Sequence, residues 1–245
     1  MKIIGIIPAR YASTRFPAKP LVDIGGKSMI QRVYEQAKKA KSLADVIVAT
    51  DDERILQHVK AFNGKVVMTS INHQSGTDRC FEAIQAYSPS ADVVINIQGD
   101  EPFIHPEQID LVASCFNSDT VQIATLIKKI ISNEELFNVN IPKVLINKSK
   151  EAICFSRQTL PFIRGKEQSE WLTNYTFYKH IGIYAYTTNV LAEITALKQS
   201  SLELAEALEQ LRWIENGYKI NVEITDFESV AVDSPEDLKK LTKFM

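Results

Sequence analysis

Four short apolar runs, separated by stretches with a helical pattern, constrain the fold of the first hundred residues. The runs cover residues 2–7, 45–50, 65–69 and 92–97. Residues 2–7 and 92–97 are predicted as buried strands, 45–50 as a second apolar run of the same kind, and 65–69 as a short strand. Strands joined by helical connections of this length form right-handed βαβ crossovers, in which the strands pair in parallel. The sequence therefore predicts an α/β fold with a mostly parallel central sheet and helices on both faces.

The stretches between the runs carry specific helix signals. Ser28 is a good N-cap for a helix whose apolar residues fall on one face. Those residues are Met29, Ile30, Val33, Tyr34 and Ala37. The acidic pair Asp51 and Asp52 is suited to the first turn of a second helix, where the helix dipole favours negative charge. A third helix is predicted over residues 76–87.

The second half of the chain is less regular. Strands are predicted over residues 123–131, 144–147, 152–156 and 180–187. A single helix is predicted over 202–216, because its apolar residues recur at helical spacing and Gly217 follows as a stop signal. A strand near 219–225 and a helix from Pro235 complete the prediction.

Composition bounds the class of protein. The chain has 245 residues, of which 45% are hydrophobic, and shows no repeat, low-complexity segment or clear linker. We therefore expect one domain over residues 1–245, with an antiparallel insertion at about 125–187.

Charge, cysteine content and hydropathy limit the classes of binding partner and the cellular compartment that we expect for this chain. A net charge of −2 gives no indication of nucleic acid or a membrane surface as partner. No apolar stretch is long enough to span a membrane, and Pro8 ends the N-terminal apolar run too early for a signal peptide. Cys80, Cys115 and Cys154 are odd in number and far apart, which is typical of reduced thiols. These features predict a soluble, cytoplasmic protein.

A basic loop directly follows the first strand. It carries Arg10, Arg15 and Lys19, and the prolines among them stiffen the backbone. Those prolines are Pro8, Pro17 and Pro20. A solvated basic loop is the alternative interpretation, but nucleotides bind beyond the carboxyl ends of strands in open α/β sheets. Arginine offers a planar fork to phosphate oxygens and lysine a mobile point charge, so this loop is suited to a triphosphate.

Two common phosphate motifs are excluded. Residues 25–28 read GGKS, like the end of a P-loop, but Leu21 stands where the first glycine is required. No G-x-G-x-x-G follows the first strand either, so a dinucleotide-dependent oxidoreductase is not indicated. A nucleotide loop that relies on side-chain cations is typical of nucleotidyltransferases.

Two aspartates follow β-rich segments and are candidate metal ligands. Asp100 comes after the apolar run at 92–97, and Asp233 precedes a predicted helix. A carboxylate beside a triphosphate requires a divalent cation between them, and Mg²⁺ usually takes one or two carboxylates together with phosphate oxygens. For Asp233 a helix-capping role is the alternative, since Asp-Ser-Pro-Glu is a good helix entry.

Eight segments, in order from end to end of the chain, resemble the CMP-Kdo synthetases, the 3-deoxy-manno-octulosonate cytidylyltransferases. They read IPARYASTRFPAKPL (7–21), VATDD (48–52), HQSGTDR (73–79), NIQGDEP (96–102), FSR (155–157), HIGIY (180–184), LEQLR (208–212) and VDSPEDL (232–238). The opening segment alone is shared with other cytidylyltransferases, whereas the full series is specific to this family.

The resemblance implies a Rossmann-like nucleotidyltransferase fold. It also implies an activity, the Mg²⁺-dependent transfer of a cytidylyl group from CTP to Kdo, which activates Kdo for lipopolysaccharide biosynthesis. A synthetase for 8-amino-Kdo or a sialic acid, and a CTP sensor without turnover, are the alternatives. A homodimer is implied as well, with the antiparallel insertion contributing to the sugar site and the dimer interface.

The family's site residues carry over to matching positions. Arg10 and Lys19 match triphosphate-binding and catalytic residues, with Arg15 nearby, and Asp100 and Asp233 match the magnesium ligands. The nucleotide pocket is implied at Pro8, Ala9, Ser75, Gly76, Thr77 and Asp78. The sugar-binding positions are implied at Gln98, Arg157, His180, Tyr184, Glu209 and Gln210. Tyr184 as a core residue and Glu209 as part of a solvated helix face are the alternatives for these two.

Three positions depart from the family pattern. Ala18 replaces the usual glycine before Lys19, Ala231 replaces a frequent glycine, and Ser234 replaces the usual threonine. Ala18 is expected to stiffen the phosphate loop slightly or to forbid a positive φ there. None of the three removes a charged or metal-binding group.

Overall fold

A central sheet organises the computed structural model, which describes residues 1–12, 16–228 and 230–238. The strands are β1 (Ile3–Ala9), β2 (Asp23–Ile24), β3 (Lys27–Ser28), β4 (Asp45–Thr50), β5 (Val66–Met68), β6 (Val93–Asn96), β7 (Ile123–Lys129), β8 (Lys143–Ile146), β9 (Ala152–Ser156), β10 (Tyr178–Thr187) and β11 (Ile220–Ile224). The helices are α1 (Met29–Ala37), α2 (Glu53–Ala61), α3 (Gly76–Tyr87), α4 (Pro106–Ser114), α5 (Asn133–Phe137), α6 (Trp171–Asn174), α7 (Thr188–Thr195), α8 (Ser201–Glu206) and α9 (Gln210–Glu215).

The sheet confirms the predicted fold class. Its strands follow the order β11-β7-β10-β6-β1-β4-β5. All of them run in the same direction except β10, which pairs antiparallel with both β6 and β7. The β8–β9 hairpin attaches to β10, also in antiparallel pairing. Residues 123–187 therefore combine one parallel strand with three antiparallel ones, and the division into one domain with an insertion stays a prediction.

Helices pack on both faces of the sheet, each over its own apolar cluster. Side chains of β1 alternate between the clusters, with Ile3 and Ile7 on one face and Ile4 and Ile6 on the other. Helices α1, α2 and α4 contribute to the first cluster, and α3, α7 and α9 to the second. This double burial explains why β1 is a continuous apolar run rather than an alternating one.

Four helices and one helix break were not predicted. Helices α4, α5, α6 and α7 fill segments for which no element was predicted, although Pro106 at the first turn of α4 is a usable signal. The predicted helix over 202–216 is wrong as a single element: α8 and α9 are separated at Ala207, which has a left-handed backbone (φ 50°, ψ 50°). Hydrogen bonds from Arg157 to carbonyl oxygens at this junction stabilise the break.

The remaining helix prediction lies partly outside the described residues. From Pro235 to Leu238 the chain forms a turn of 3-10 helix, and residues 239–245 are beyond the described range. Among the helices that the structure describes, none is long and apolar enough to cross a membrane.

Candidate active site

A cavity of about 300 Å³ opens beyond the carboxyl ends of β1 and β6. These strands are parallel neighbours, so the loops that follow them leave the sheet at the same edge. The start of α3 and the segment after β11 complete the walls. The lining residues are Pro8, Ala9, Arg10, Lys19, Pro20, His73, Gln74, Ser75, Gly76, Arg79, Gln98, Gly99, Asp100 and Asp233.

Close backbone packing brings the two strand ends together. A Cβ at Gly99 would lie 2.8 Å from the carbonyl oxygen of Pro8, closer than such atoms approach. Glycine at this position therefore allows the loop after β6 to cross the end of β1. This crossing places Asp100 beside the loop that carries Arg10 and Lys19.

The N-terminus of α3 forms one wall of the cavity. Ser75 caps the helix by accepting a hydrogen bond from the Asp78 N–H, and Asp78 accepts one from the Ser75 N–H. Helix N-termini carry partial positive charge and free N–H groups, which bind phosphate. Ser75 and Gly76 line the cavity, whereas Asp78 holds the cap and the Thr77 hydroxyl donates to Glu209 Oε2.

Lys19 joins the two candidate metal ligands. Its Nζ lies 2.7 Å from Asp100 Oδ2 and 3.6 Å from Asp233 Oδ1. The Val232 N–H donates to the Asp100 carbonyl oxygen (2.9 Å), and Lys19 Nζ donates to the Val232 carbonyl oxygen. These contacts bring residues far apart in sequence to one wall of the cavity.

The donor set there fits Mg²⁺. Among the described residues there is no cluster of three or more histidine, cysteine, aspartate or glutamate side chains suited to a metal. Mg²⁺ needs fewer protein ligands, because phosphate oxygens and waters complete its coordination shell. The cationic ammonium of Lys19 between Asp100 and Asp233 shows that positive charge is accommodated there.

The cationic loop is described in part. Arg10 lines the cavity and is exposed, and no ion pair to it is seen in the described parts of the chain. Arg15 lies outside the described residues. Ala18 has φ 61° and ψ 14°, so the expectation that alanine would forbid a positive φ here is wrong. Hydrogen bonds from Ala18 N to the Tyr11 oxygen and from Leu21 N to the Ala18 oxygen hold this conformation.

Arg79 is a cavity residue that the sequence analysis did not single out. Its side chain is 4% exposed and donates to Asp51 Oδ2 (2.6 Å) and Thr69 Oγ1 (2.5 Å). It thereby ties the ends of β4 and β5 to the first turns of α3. A charged residue on the buried face of a predicted helix was the available signal, since such residues are nearly always paired.

The predicted sugar-binding residues form a second layer beside the cavity. Only Gln98 lines the cavity itself. Tyr184 pairs in register with Asn96 of β6, and Thr77 donates to Glu209 Oε2 at 3.0 Å, which connects the start of α9 to the start of α3. Gln210 is buried beside Glu209 and its Nε2 has no hydrogen-bond partner among the described residues.

Burial shifts the ionisation of two of these residues. The His180 ring packs edge-on against Phe155 and beside Tyr184, with Nε2 3.0 Å from Thr125 Oγ1. This burial lowers the pKa of His180 to about 3, so the ring is neutral at neutral pH. Burial raises the pKa of Glu209 above its usual value, partly offset by the hydrogen bond from Thr77.

Arg157 lies outside the cavity. Its guanidinium donates to the carbonyl oxygens of Glu206 and Ala207 at the end of α8 and to that of Val139. The last carbonyl groups of a helix lack intrahelical partners, and arginine satisfies them here. Arg157 therefore fixes the junction from which α9 starts, and with it the positions of Glu209 and Gln210.

Comparison with known proteins gives one consistent family. A family model described as cytidylyltransferase matches residues 4–220. A 3-deoxy-manno-octulosonate cytidylyltransferase of Parabacteroides distasonis is 61% identical, with 100% of this chain and 98% of the relative covered. One of Bacteroides thetaiotaomicron is also 61% identical, with the same coverage.

The fold agrees with this result. A solved structure of CMP:2-keto-3-deoxy-manno-octonic acid synthetase, complexed with CTP, superposes with a TM-score of 0.92 at 40% identity and covers 100% of this chain and 98% of its own. Similarity of this extent covers the α3 N-terminus, both aspartates and the segment after β11. The chain therefore belongs to the family of 3-deoxy-manno-octulosonate cytidylyltransferases, the CMP-Kdo synthetases.

Proposed function

We propose that this protein transfers a cytidylyl group from CTP to Kdo. The anomeric hydroxyl oxygen of Kdo attacks the α-phosphorus in line, and the bond from that phosphorus to the bridging oxygen of the β-phosphate breaks. CMP-Kdo and pyrophosphate form, and the hydroxyl proton is released. The observation that carries the proposal is the meeting of Arg10, Lys19, the α3 N-terminus and two aspartates in one cavity, in a chain of this family.

Binding of the triphosphate is assigned to the cationic wall. Arg10 and Lys19 neutralise phosphate oxygens, with Arg15 as a further cation, and the N–H groups at the start of α3 add fixed dipoles. We assign the backbone of Pro8 and Ala9, which lines the cavity, to contacts with the cytosine. Charge that develops on the leaving pyrophosphate is stabilised by groups already in position, which is the main source of catalysis in such transfers.

Asp100 and Asp233 are the residues that would hold Mg²⁺. When bound, the ion would act as a Lewis acid that neutralises charge on the α-phosphate and lowers the pKa of the attacking hydroxyl. The two carboxylates would hold this charge in the cavity that receives the phosphates, and Gln98, which lines the same cavity on the loop of Asp100, would contact the incoming sugar.

Recognition of the sugar acid is assigned to the second layer. His180 is neutral and binds by hydrogen bonding rather than by charge. Gln210 has a buried amide without a partner among the described residues, and buried polar groups are normally satisfied, so a sugar hydroxyl is its natural acceptor. Tyr184 and Glu209 complete this surface, and Arg157 holds it in place.

A homodimer is proposed from the surface of the antiparallel portion. Large apolar side chains are exposed there, and such patches mark interaction sites. They are Ile131, Phe137, Val139, Ile153, Phe162 and Tyr175. Sedimentation of the wild type should give a dimer, and Phe162→Glu should give a monomer. We place the protein in the cytoplasm, where CTP is available and its free cysteines stay reduced.

A substrate panel tests the function. The protein is incubated with CTP, Mg²⁺ and either Kdo, 8-amino-Kdo or a sialic acid, while pyrophosphate release is followed and the product mass determined. We expect CMP-Kdo to form with a kcat/KM at least tenfold above that for the other acids. A preference for another acid would transfer the proposal to that substrate. CTP binding without pyrophosphate release from any of them would indicate a sensor.

A further inference from the structure

Lys19 occupies the space between the two residues proposed to hold the metal. Its ammonium has three N–H donors, and three oxygens surround it. They are Asp100 Oδ2 at 2.7 Å, the Val232 carbonyl oxygen at 2.9 Å and Asp233 Oδ1 at 3.6 Å. The lysine side chain is only 16% exposed, so this contact is partly shielded from water.

This ammonium and a metal ion compete for the same carboxylates. Mg²⁺ would bind carboxylate oxygens at about 2 Å, and the oxygens available to it here include those that the ammonium now contacts. Two cations cannot share this position, because their repulsion would cancel what the carboxylates contribute. Conversely, Lys19 partly offsets the negative charge of Asp100, which is 25% exposed, and of Asp233, which is 55% exposed.

We infer that Lys19 is an exchangeable counter-ion, which neutralises Asp100 and Asp233 in the nucleotide-free protein and is drawn away by the triphosphate. This inference rests on the proposed function. The phosphates offer Lys19 new partners in the same cavity, and its departure removes its contacts with Asp100 and Asp233. Metal and nucleotide therefore enter together, and the free protein binds divalent cations weakly. Because binding free energies are reciprocal, the nucleotide must raise metal affinity by the factor by which the metal raises nucleotide affinity.

Direct metal binding tests this without turnover. Mn²⁺ is titrated into the nucleotide-free protein, and the free ion is measured by electron paramagnetic resonance. The variants are Lys19→Met and Lys19→Gln, which remove the charge, and Lys19→Arg, which keeps it. Lys27→Met is the matched control, because it removes a charge from an exposed pair with Glu35. Thermal melting establishes whether each variant is folded. Two neutral variants are used so that the test can still be made if one of them does not fold.

We expect both neutral variants to bind Mn²⁺ about tenfold or more tightly than the wild type, with Lys19→Arg and Lys27→Met within twofold of it. Adding Asp100→Asn to Lys19→Met should abolish the gain, which locates the ion. If the wild type and the neutral variants bind Mn²⁺ with equal affinity, and this binding depends on Asp100, the counter-ion role is overturned while the proposed function stays intact. If no protein binds Mn²⁺ in an Asp100-dependent way, both the inference and the metal assignment fail.

Discussion

Replacing Ala18 with glycine tests the backbone that delivers Lys19 to the site. Ala18 adopts φ 61° and ψ 14°, a left-handed conformation that costs an L-residue about 1–2 kcal/mol. The backbone is held in this conformation, because the Ala18 N–H and carbonyl oxygen are both hydrogen-bonded within the loop. Glycine avoids this cost but loses about 0.5–1 kcal/mol through the greater freedom of the unfolded chain. The difference predicts that Ala18→Gly stabilises the protein by about 0.5–1 kcal/mol.

The measurement is thermal and urea unfolding of matched variants. For a protein of this size, 1 kcal/mol corresponds to about 2–4 °C, so the Tm should rise by about 1–4 °C. Ala207→Gly is a second test of the same cause, since Ala207 is also left-handed (φ 50°). Ala86→Gly, on the exposed face of α3, is the opposite control and should lower stability by about 0.5–1 kcal/mol.

A fall in the Tm of Ala18→Gly to the level of Ala86→Gly would refute the reasoning, because the left-handed backbone would then carry no cost. The KM for CTP should stay within about twofold of the wild type, since glycine adopts the same φ and leaves Lys19 in place.

Three further predictions concern the site and its support. Asp100→Asn should lower kcat by about 10²-fold or more with an unchanged circular dichroism spectrum, and turnover within about threefold of wild type would reject its role at the metal. Arg157→Lys and Glu206→Gln should each raise the KM for Kdo while the KM for CTP barely changes, because both substitutions loosen the α8–α9 junction. If steady-state kinetics show an equal rise in the KM for both substrates, the effect is general destabilisation instead. Glu203→Gln should cost about 3 kcal/mol in urea unfolding at pH 7, because it leaves the buried Arg212 charge unpaired. Arg212 lowers the pKa of Glu203 in the folded state. The stabilisation by this pair is therefore fully present above the unfolded pKa of Glu203, about 4.3. As the pH falls below that value, the difference in unfolding free energy between the variant and the wild type should decrease.

Residue patterns were sufficient for the sheet but not for the helix break in the second half. The apolar runs that became β1, β4 and β6 are buried on both faces, and the shorter run of the edge strand β5 is only half-buried; these runs are a local property of the sequence. The break at Ala207 is not local. Apolar spacing continues through it from Leu204 to Ile214, and hydrogen bonds from Arg157 to the Glu206 and Ala207 carbonyl oxygens help to hold a left-handed residue there.

The same distinction applies to the site. Arg10 and Lys19 were identified because a basic loop after the first strand is visible in one segment. Lys19 and Asp233 are brought together only by the path of the chain after β11, and their contact follows from tertiary structure. Arg79 was overlooked because its partners, Asp51 and Thr69, lie at the ends of two other strands.

The position of Asp233 also bears on the order in which the protein is made. Every strand of the sheet precedes residue 225, whereas the segment that returns to Asp100 spans residues 230–238. A nascent chain that has emerged only as far as β11 contains every strand of the described sheet, yet it lacks one of the two proposed metal ligands and leaves Lys19 with one carboxylate partner fewer. Under the proposed function such a chain is folded but inactive. Catalytic competence would thus be acquired only after the strands of the described sheet have been synthesised.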